Sequence, residues 1–239
     1  MEISNYKREN IIGYINHGSE GTVYLYNDNG REVALKIFHI DDKSLNNDNK
    51  EKKLMILKHE EYLQDDITLL NRMYFNGKFI GYTSKYEPYR PLSFLIPKKQ
   101  KIEFLTRLKE KFEALNSHGI YIGDFNQANI ALIDNKLKLY DVDNFRVGNL
   151  DFNIHDIIME SYISRSKDPK EIDYYCYNYF GLGLMASTEP DSIHLGIGRK
   201  NLPRELKTPE AKEFIRNLDY HILEKDKDGK PKTLLNYLK

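Results

Sequence analysis

The apolar pattern of this chain changes period once, near residue 88, and that change constrains the fold more than any other feature. Before it, "NIIGYINHG", "GTVYLYN" and "REVALKIFHI" are short runs rich in β-branched and aromatic residues, separated by glycine and by "NDNG". They predict a meander of three antiparallel strands. "NNDNKEKKLMILKHEEYL" sets Leu54, Leu57 and Tyr62 on a charged background and predicts one amphipathic helix near 47–62. Strands return in "DITLLNRMYFNGKFIGYTSKY", where Asn76-Gly77 between apolar runs is a strong hairpin signal, completing five strands and one helix. "YEPYRPLSFLIPKK", with Pro88, Pro91 and Pro97, reads as a connector. Helical spacing then takes over. Ile102, Leu105, Leu108, Phe112 and Leu115 predict a helix over 99–117, stopped by Gly119. "EIDYYCYNYFGLGLMA" is apolar or aromatic on nearly every side, as in a helix buried all round. Thr208 and Pro209 start a last helix that shows Ala211, Phe214, Ile215 and Leu218 on one face. The expected fold class is α+β in two parts: a sheet-rich 1–87 and a mainly helical 88–239.

Composition narrows the partners. With 239 residues, 40% of them hydrophobic, the chain can bury a full core. Lys+Arg and Asp+Glu are both 36, so no global field draws it to nucleic acid or to an anionic membrane. One cysteine, Cys176, excludes an internal disulfide framework, points to a reducing cytoplasm and reads as a small core residue. The opening "MEISNYKRENIIGYINHG" lacks an apolar signal core, and no run approaches the roughly 18 apolar residues a membrane helix needs. The expectation is a cytoplasmic protein, neither exported nor embedded; the oligomeric state is left open.

Several segments carry residues that bland packing does not require. Lys36 sits inside the buried-looking strand "VALKIF", and a buried ammonium needs a partner or a ligand. Gly18, Gly21 and Val23 lie between two predicted strands, where glycines leave the backbone open to close approach. "YIGDFNQANIALIDNKLKLYDVDNF" spaces Asp124, Asn129, Asp141 and Asp143 around a small predicted hairpin. In "KLKLY" the alternation puts Leu137, Leu139 and Asp141 on one face and leaves Asp143 beyond the end of pairing. Asp141 is therefore the acid fixed by a strand.

Taken in order, these segments resemble the protein kinase fold, in its compact, divergent bacterial or phage-type Ser/Thr form with a "GDxNxxN" loop, here "GDFNQAN". The resemblance implies ATP and Mg²⁺, or Mn²⁺, as cofactors and a protein hydroxyl as acceptor. It implies Asp124 as catalytic base, Asn129 and Asp141 as metal ligands with Asp143 assisting, and Gly18, Gly21, Val23 and Ala34 as nucleotide contacts. It also implies that Lys36 holds phosphates and pairs with a glutamate of the following helix, for which Glu51 is the choice. Asp173 would brace the catalytic loop through its backbone N–H groups while opening the buried helix. The departures are specific: Asn16 stands for the first glycine, Ile122-Gly123 for His-Arg, Asn126 for lysine and "DVD" for Asp-Phe-Gly, and no Ala-Pro-Glu closes the activation segment. "DVD" and the Gly-Asp lead-in are also similar to the aminoglycoside and choline kinases. Two alternatives therefore stand beside the protein kinase, a small-molecule kinase and a pseudokinase scaffold.

Overall fold

A computed structural model describes residues 6–18, 20–39, 47–60, 63, 67–68, 70–76, 78–88, 96–133, 136–153 and 157–238, without the side chains of 47 and 48. The chain divides into two compact units, Met1–Tyr89 with Lys138–Asp143, and Arg90–Leu137 with Asn144–Lys239. The short segment Lys138–Asp143 thus goes with the sheet, although its place in sequence lies among the helices. Its tie is a backbone one: Leu139 bridges Ile67 in parallel fashion and accepts a 3.0 Å bond from the Thr68 N–H.

The first unit is a five-stranded antiparallel sheet of β1 (Ile11–His17), β2 (Gly21–Asp28), β3 (Arg31–Phe38), β4 (Leu70–Asn76) and β5 (Lys78–Lys85), in the order β1-β2-β3-β5-β4. Asn29 and Gly30, at φ 55° and 85°, make the tight turn between β2 and β3, matching the right-handed twist of the flanking strands. The β4–β5 hairpin pairs Asn76 with Lys78; its tip, Gly77, lies outside the described residues, as does the connector 89–95. Alternation sends Tyr26, Val33, Leu35 and Tyr74 into one apolar layer, and the register shift of β5 between Phe79 and Gly81 brings Ile80 to it. Phe38 and Phe79 meet edge to face elsewhere in the unit, with ring centres 5.4 Å apart. The helix α1 (Asn47–Lys58) stops before Tyr62, which lies outside the described residues. It buries Lys50, Lys53, Leu54 and Leu57, a set spaced i, i+3, i+4, i+7 and therefore on one face.

The second unit contains α2 (Lys98–Ser117), β6 (Ile120–Tyr121), β7 (Ile130–Ile133), the start of β8 (Lys136–Leu139), β9 (Arg146–Val147), α3 (Ile157–Ile163), α4 (Pro169–Ala186), α5 (Pro190–His194) and α6 (Pro209–Asp219). β6 and β9 pair antiparallel, and β7 and β8 form a second two-stranded sheet whose tip, 134–135, is outside the described residues. Every residue of α4 from Ile172 to Ala186 is buried, as its aromatic composition predicts. Buried polar atoms there are satisfied: the Tyr177 hydroxyl donates to the Leu105 carbonyl at 2.8 Å, and Asn178 both donates to the Lys232 carbonyl and accepts from the Leu234 N–H. Lys101 donates to the Leu184 carbonyl at 2.7 Å, capping the end of α4 where helix carbonyls lack partners. Asp173 does not open this helix. Pro169 takes the first position, Asp168 caps it by accepting from the Lys170 N–H at 2.9 Å, and Asp173 lies one turn inside. Thr208 caps α6 by accepting from Ala211 N–H, and Ala211, Phe214, Ile215 and Leu218 are its buried face. The sheet with these six helices makes an α+β protein, and no described helix is long and apolar enough to cross a membrane.

The sheet leaves no room at Gly81, where an added Cβ would stand 2.3 Å from the Lys36 carbonyl oxygen. Gly81→Ala is expected to lower stability by about 1–3 kcal/mol through forced displacement of β3 against β5. Chemical denaturation of the two proteins checks it; equal midpoints would contradict so close an approach.

Candidate functional site

The strand β3 carries Lys36 into a cluster of charges that is closed to water on most sides. Lys36 is 9% exposed, and its Nζ bonds to Asp141 and, at 3.0 Å, to Asp143 Oδ1, with Glu20 Oε2 3.8 Å away. A second lysine, Lys50 of α1, is fully buried and donates to Asp143 Oδ2 at 2.7 Å and to Glu20 Oε2 at 3.0 Å. Tyr82 is Lys36's cross-strand neighbour on β5, and its hydroxyl adds a 2.8 Å bond to Asp143 Oδ1. Both ammonium groups also lie over the Phe38 ring, 5.5 and 5.0 Å from its centre, an arrangement that favours cations.

The two aspartates of "DVD" hold different positions in this cluster. Asp143 is fully buried. Burial alone would raise its pKa, but attraction to Lys36 and Lys50 outweighs that and holds the carboxyl well below the usual carboxylate range. Asp141 keeps 29% of its side chain exposed. Its pKa moves the other way, upward, because burial and the like charge of Asp143 together outweigh the pull of Lys36. Burial likewise lowers the pKa of Lys36, yet Asp141, Asp143 and Glu20 reverse the sign and keep the ammonium charged. Asp141 also has a left-handed backbone, φ 58°, at a residue with a Cβ. Such a conformation costs on the order of 1–3 kcal/mol and persists where surrounding contacts impose it. Asp143 is thus the buried anchor of the cluster, and Asp141 bonds Lys36 from its partly exposed edge.

Glu51 is not the partner of Lys36. Among the described residues the acids on Lys36 are Asp141, Asp143 and Glu20. The reason is helical phase: Leu54 and Leu57 fix the inward face of α1, Lys50 and Lys53 share it, and Glu51 is turned about 100° away, half-buried. Sequence spacing holds a signal for Lys50, at i−4 and i−7 from those leucines, which is hidden when every lysine counts as solvated. Tyr82 and Glu20 were also missed; Glu20 is flanked by the turn that carries Gly18 and Gly21.

That turn is built by close backbone contact. Gly18 is exposed and its N–H donates to the Gly21 carbonyl at 2.9 Å, while the Glu20 carbonyl accepts from His39 N–H at 2.9 Å. Gly21 is buried opposite Phe38, and a Cβ there would meet the Ile37 carbonyl at 2.5 Å, so this glycine serves sheet packing directly. Val23 lies opposite Lys36 on the neighbouring strand and Ala34 is two residues along β3, so alternation puts all three side chains on the same face of the sheet.

In the second unit Asp124 lies in the loop between β6 and β7, as a carboxylate gripped by two amides. Asn126 Nδ2 donates to both of its oxygens at 2.8 Å, and Asn129 Nδ2 donates to Oδ2 at 2.8 Å. Asn126 also accepts from Ala128 and Asn129 N–H at 2.8 and 3.0 Å, so it shapes the loop. The sequence pattern marks Asn126 only as a departure. Behind the loop, Asp173 accepts from Ile122 N–H at 3.1 Å and Gly123 N–H at 2.7 Å, and from the Asn116 amide turned to face it at 2.8 Å. Gly123 at φ 69° has no space for a side chain, since a Cβ would meet Phe152 at 2.7 Å. The bracing of this loop by Asp173 is present as expected.

The sequence matches no protein-family model and none of the curated proteins with which it was compared. Among the described residues no three His, Cys, Asp or Glu side chains gather into a metal-binding group.

Asp143→Asn would leave two buried ammonium groups short of a carboxylate and is expected to cost about 3–5 kcal/mol, whereas Asp141→Asn, at the partly exposed edge, should cost less. Denaturant midpoints for both variants test the order, and the reverse order would make Asp141 the anchor. Asp173 supplies a pH dependence. Burial raises its pKa to about 7 against the pull of the Gly123, Ile122 and Asn116 donors, so the folded protein binds its proton more tightly than the unfolded chain. Its contribution is full below about pH 4 and is lost as pH rises through about 7. The wild type should lose stability relative to Asp173→Asn between pH 4 and 8, as read by thermal melts across that range; a constant difference would show that this carboxyl does not titrate there.

Proposed function

We propose that the protein is an ATP-dependent phosphotransferase of protein kinase-like fold that moves the γ-phosphoryl group to a Ser or Thr hydroxyl of a protein. The observation that carries this reading is Lys36: a buried ammonium on a sheet strand, gathered with Asp141 from 105 residues further along the chain. A packed core has little use for so costly a charge group, whereas a phosphate and its metal require one. Lys36 would hold the nucleotide phosphates. Asp141 would be a Mg²⁺ ligand, and the metal, when bound, neutralises charge on the transferring phosphates. The donor set fits Mg²⁺, which takes one or two carboxylates and completes its shell with water and phosphate oxygens rather than with an all-protein cage.

Asp124 would accept the proton of the attacking hydroxyl, whose oxygen forms the new bond to phosphorus as ADP leaves. Its two amide donors, Asn126 and Asn129, fix the carboxylate in one orientation. Asn129 keeps its side-chain oxygen as a hard donor suited to Mg²⁺. Val23 and Ala34, on the strand face that also bears Lys36, would cover the base, and Gly18 offers an exposed backbone.

The purified chain, incubated with labelled ATP, Mg²⁺ and generic protein acceptors, and in parallel with small alcohols, should label protein Ser or Thr. Label on an alcohol alone would replace the acceptor class, and no label on any acceptor would leave the scaffold. Lys36→Met should abolish transfer, and a variant with wild-type turnover would remove Lys36 from the site. Asp141→Asn should lose both Mg²⁺-dependent nucleotide binding and turnover.

A further inference from the structure

Two features of the first unit remain unused by that function: the buried Lys50, and the Glu20 carboxylate that lies against both lysines. A single oxygen, Glu20 Oε2, is 3.0 Å from Lys50 Nζ and 3.8 Å from Lys36 Nζ. The two ammonium groups share more than this oxygen. Each also contacts Asp143, and each stands over the same Phe38 ring. A pair of lysines held together on a common anion, beside an aromatic face, is the arrangement that receives the multiply charged oxygens of a polyphosphate. The anion between them, however, comes from the chain itself.

Position and exposure make Glu20 the exchangeable member. Among the described residues the cluster holds two ammonium groups and three carboxylates, Asp141, Asp143 and Glu20. An incoming phosphate would add negative charge to this group of acids. One acid has to leave. Asp143 is fully buried and bonded by Lys36, Lys50 and Tyr82. Asp141 can turn to a metal. Glu20 keeps 17% of its side chain exposed and springs from the turn beside the exposed Gly18, while its own backbone carbonyl stays tied to the His39 N–H. Its side chain can swing away without unravelling the sheet.

We infer that Lys50 is a second phosphate-binding residue beside Lys36, and that Glu20 occupies the position of a phosphate oxygen between them and must be displaced for a polyphosphate to bind. Glu20 is then an internal competitor. The apparent affinity for ligand is the intrinsic affinity reduced by the fraction of molecules in which Glu20 is out of the way. The inference rests on the phosphotransferase reading for the identity of the ligand, but its test does not depend on turnover.

The test is titration calorimetry of the full chain with ATP and, separately, with inorganic tripolyphosphate, each with and without Mg²⁺, on the wild type, Glu20→Gln, Lys50→Met and Lys50→Arg. Glu20→Gln should bind both ligands about tenfold more tightly, because the competing charge is gone and the shape is kept. Lys50→Met should bind both at least about tenfold more weakly, and Lys50→Arg, which keeps the charge, should fall between Lys50→Met and the wild type. A purely structural Lys50–Glu20 pair would instead make both neutralising variants less stable and neither a tighter binder. Unchanged or weaker binding in Glu20→Gln overturns the inference, and it does so even if Lys50→Met fails to fold. The expected order with tripolyphosphate in a protein that transfers no phosphoryl group would keep the two-lysine site and discard the reaction. Transfer by a protein lacking that order would do the opposite.

Discussion

Asp143 is the carboxylate on which the rest of the first unit is arranged. It collects Lys36 from β3, Lys50 from α1 and the hydroxyl of Tyr82 from β5, so one buried anion joins a strand, a helix and a second strand to the segment that follows β8. Burying a charge is favourable only when its oxygens are fully engaged, and here both Asp143 oxygens have donors. The gain of this arrangement is in specificity: an apolar packing tolerates sliding, whereas three donors on two oxygens fix the helix phase and the strand register together. Leu54 and Leu57 set the same inward phase of α1, with Lys50 and Lys53 on the buried face beside them.

A second buried acid does the same for the other unit. Asp173, one turn inside α4, accepts two successive backbone N–H groups, those of Ile122 and Gly123, at the point where the chain leaves β6 for the Asp124 loop. The loop has no regular structure of its own to satisfy those donors, so the helix supplies the acceptor. Gly123 makes the approach feasible, being at positive φ and against Phe152 where a side chain would collide. Within the loop Asn126 makes short-range bonds to Asp124, Ala128 and Asn129, while the Gln127 amide reaches out to Glu189. Both units thus place a partly exposed carboxylate, Asp141 in one and Asp124 in the other, next to a buried structure that holds its backbone still.

Much of this was legible in the sequence, and the parts that were not share a cause. The strands, the Asn29-Gly30 turn and the all-round burial of α4 follow from local rules, period 2, turn chemistry and the absence of a polar face, which need no knowledge of partners. Asp124, Asn129, Asp141 and Lys36 stood out because polar residues interrupt apolar runs at fixed intervals. Partner choice did not stand out, because it depends on helix phase and long-range closure. Glu51 has the charge expected beside Lys36, yet a rotation of about 100° per residue puts its neighbour Lys50 on the inner face. Two lysines on the inner face make sense only once an acid far along the chain is known to lie among them. Asp173 was read correctly for what it bonds and incorrectly for where it sits, since Asp168 followed by Pro169 is the stronger start signal.

The spacing of "DVD" explains how two acids so close in sequence come to hold opposite roles. Leaving β8, the chain turns through a left-handed residue at Asp141 and enters a short 3-10 turn over Val142–Asn144. That reversal, rather than simple strand alternation, separates the side chains: Val142 and Asp143 turn inward and become buried, and Asp141 is left at the edge. Both carboxylates still reach the Lys36 ammonium, but Asp143 also takes the Lys50 ammonium and the Tyr82 hydroxyl in the buried interior. The strained residue therefore has a structural consequence. It lets Asp143 meet both lysines from the interior, while Asp141 meets Lys36 from the partly exposed edge.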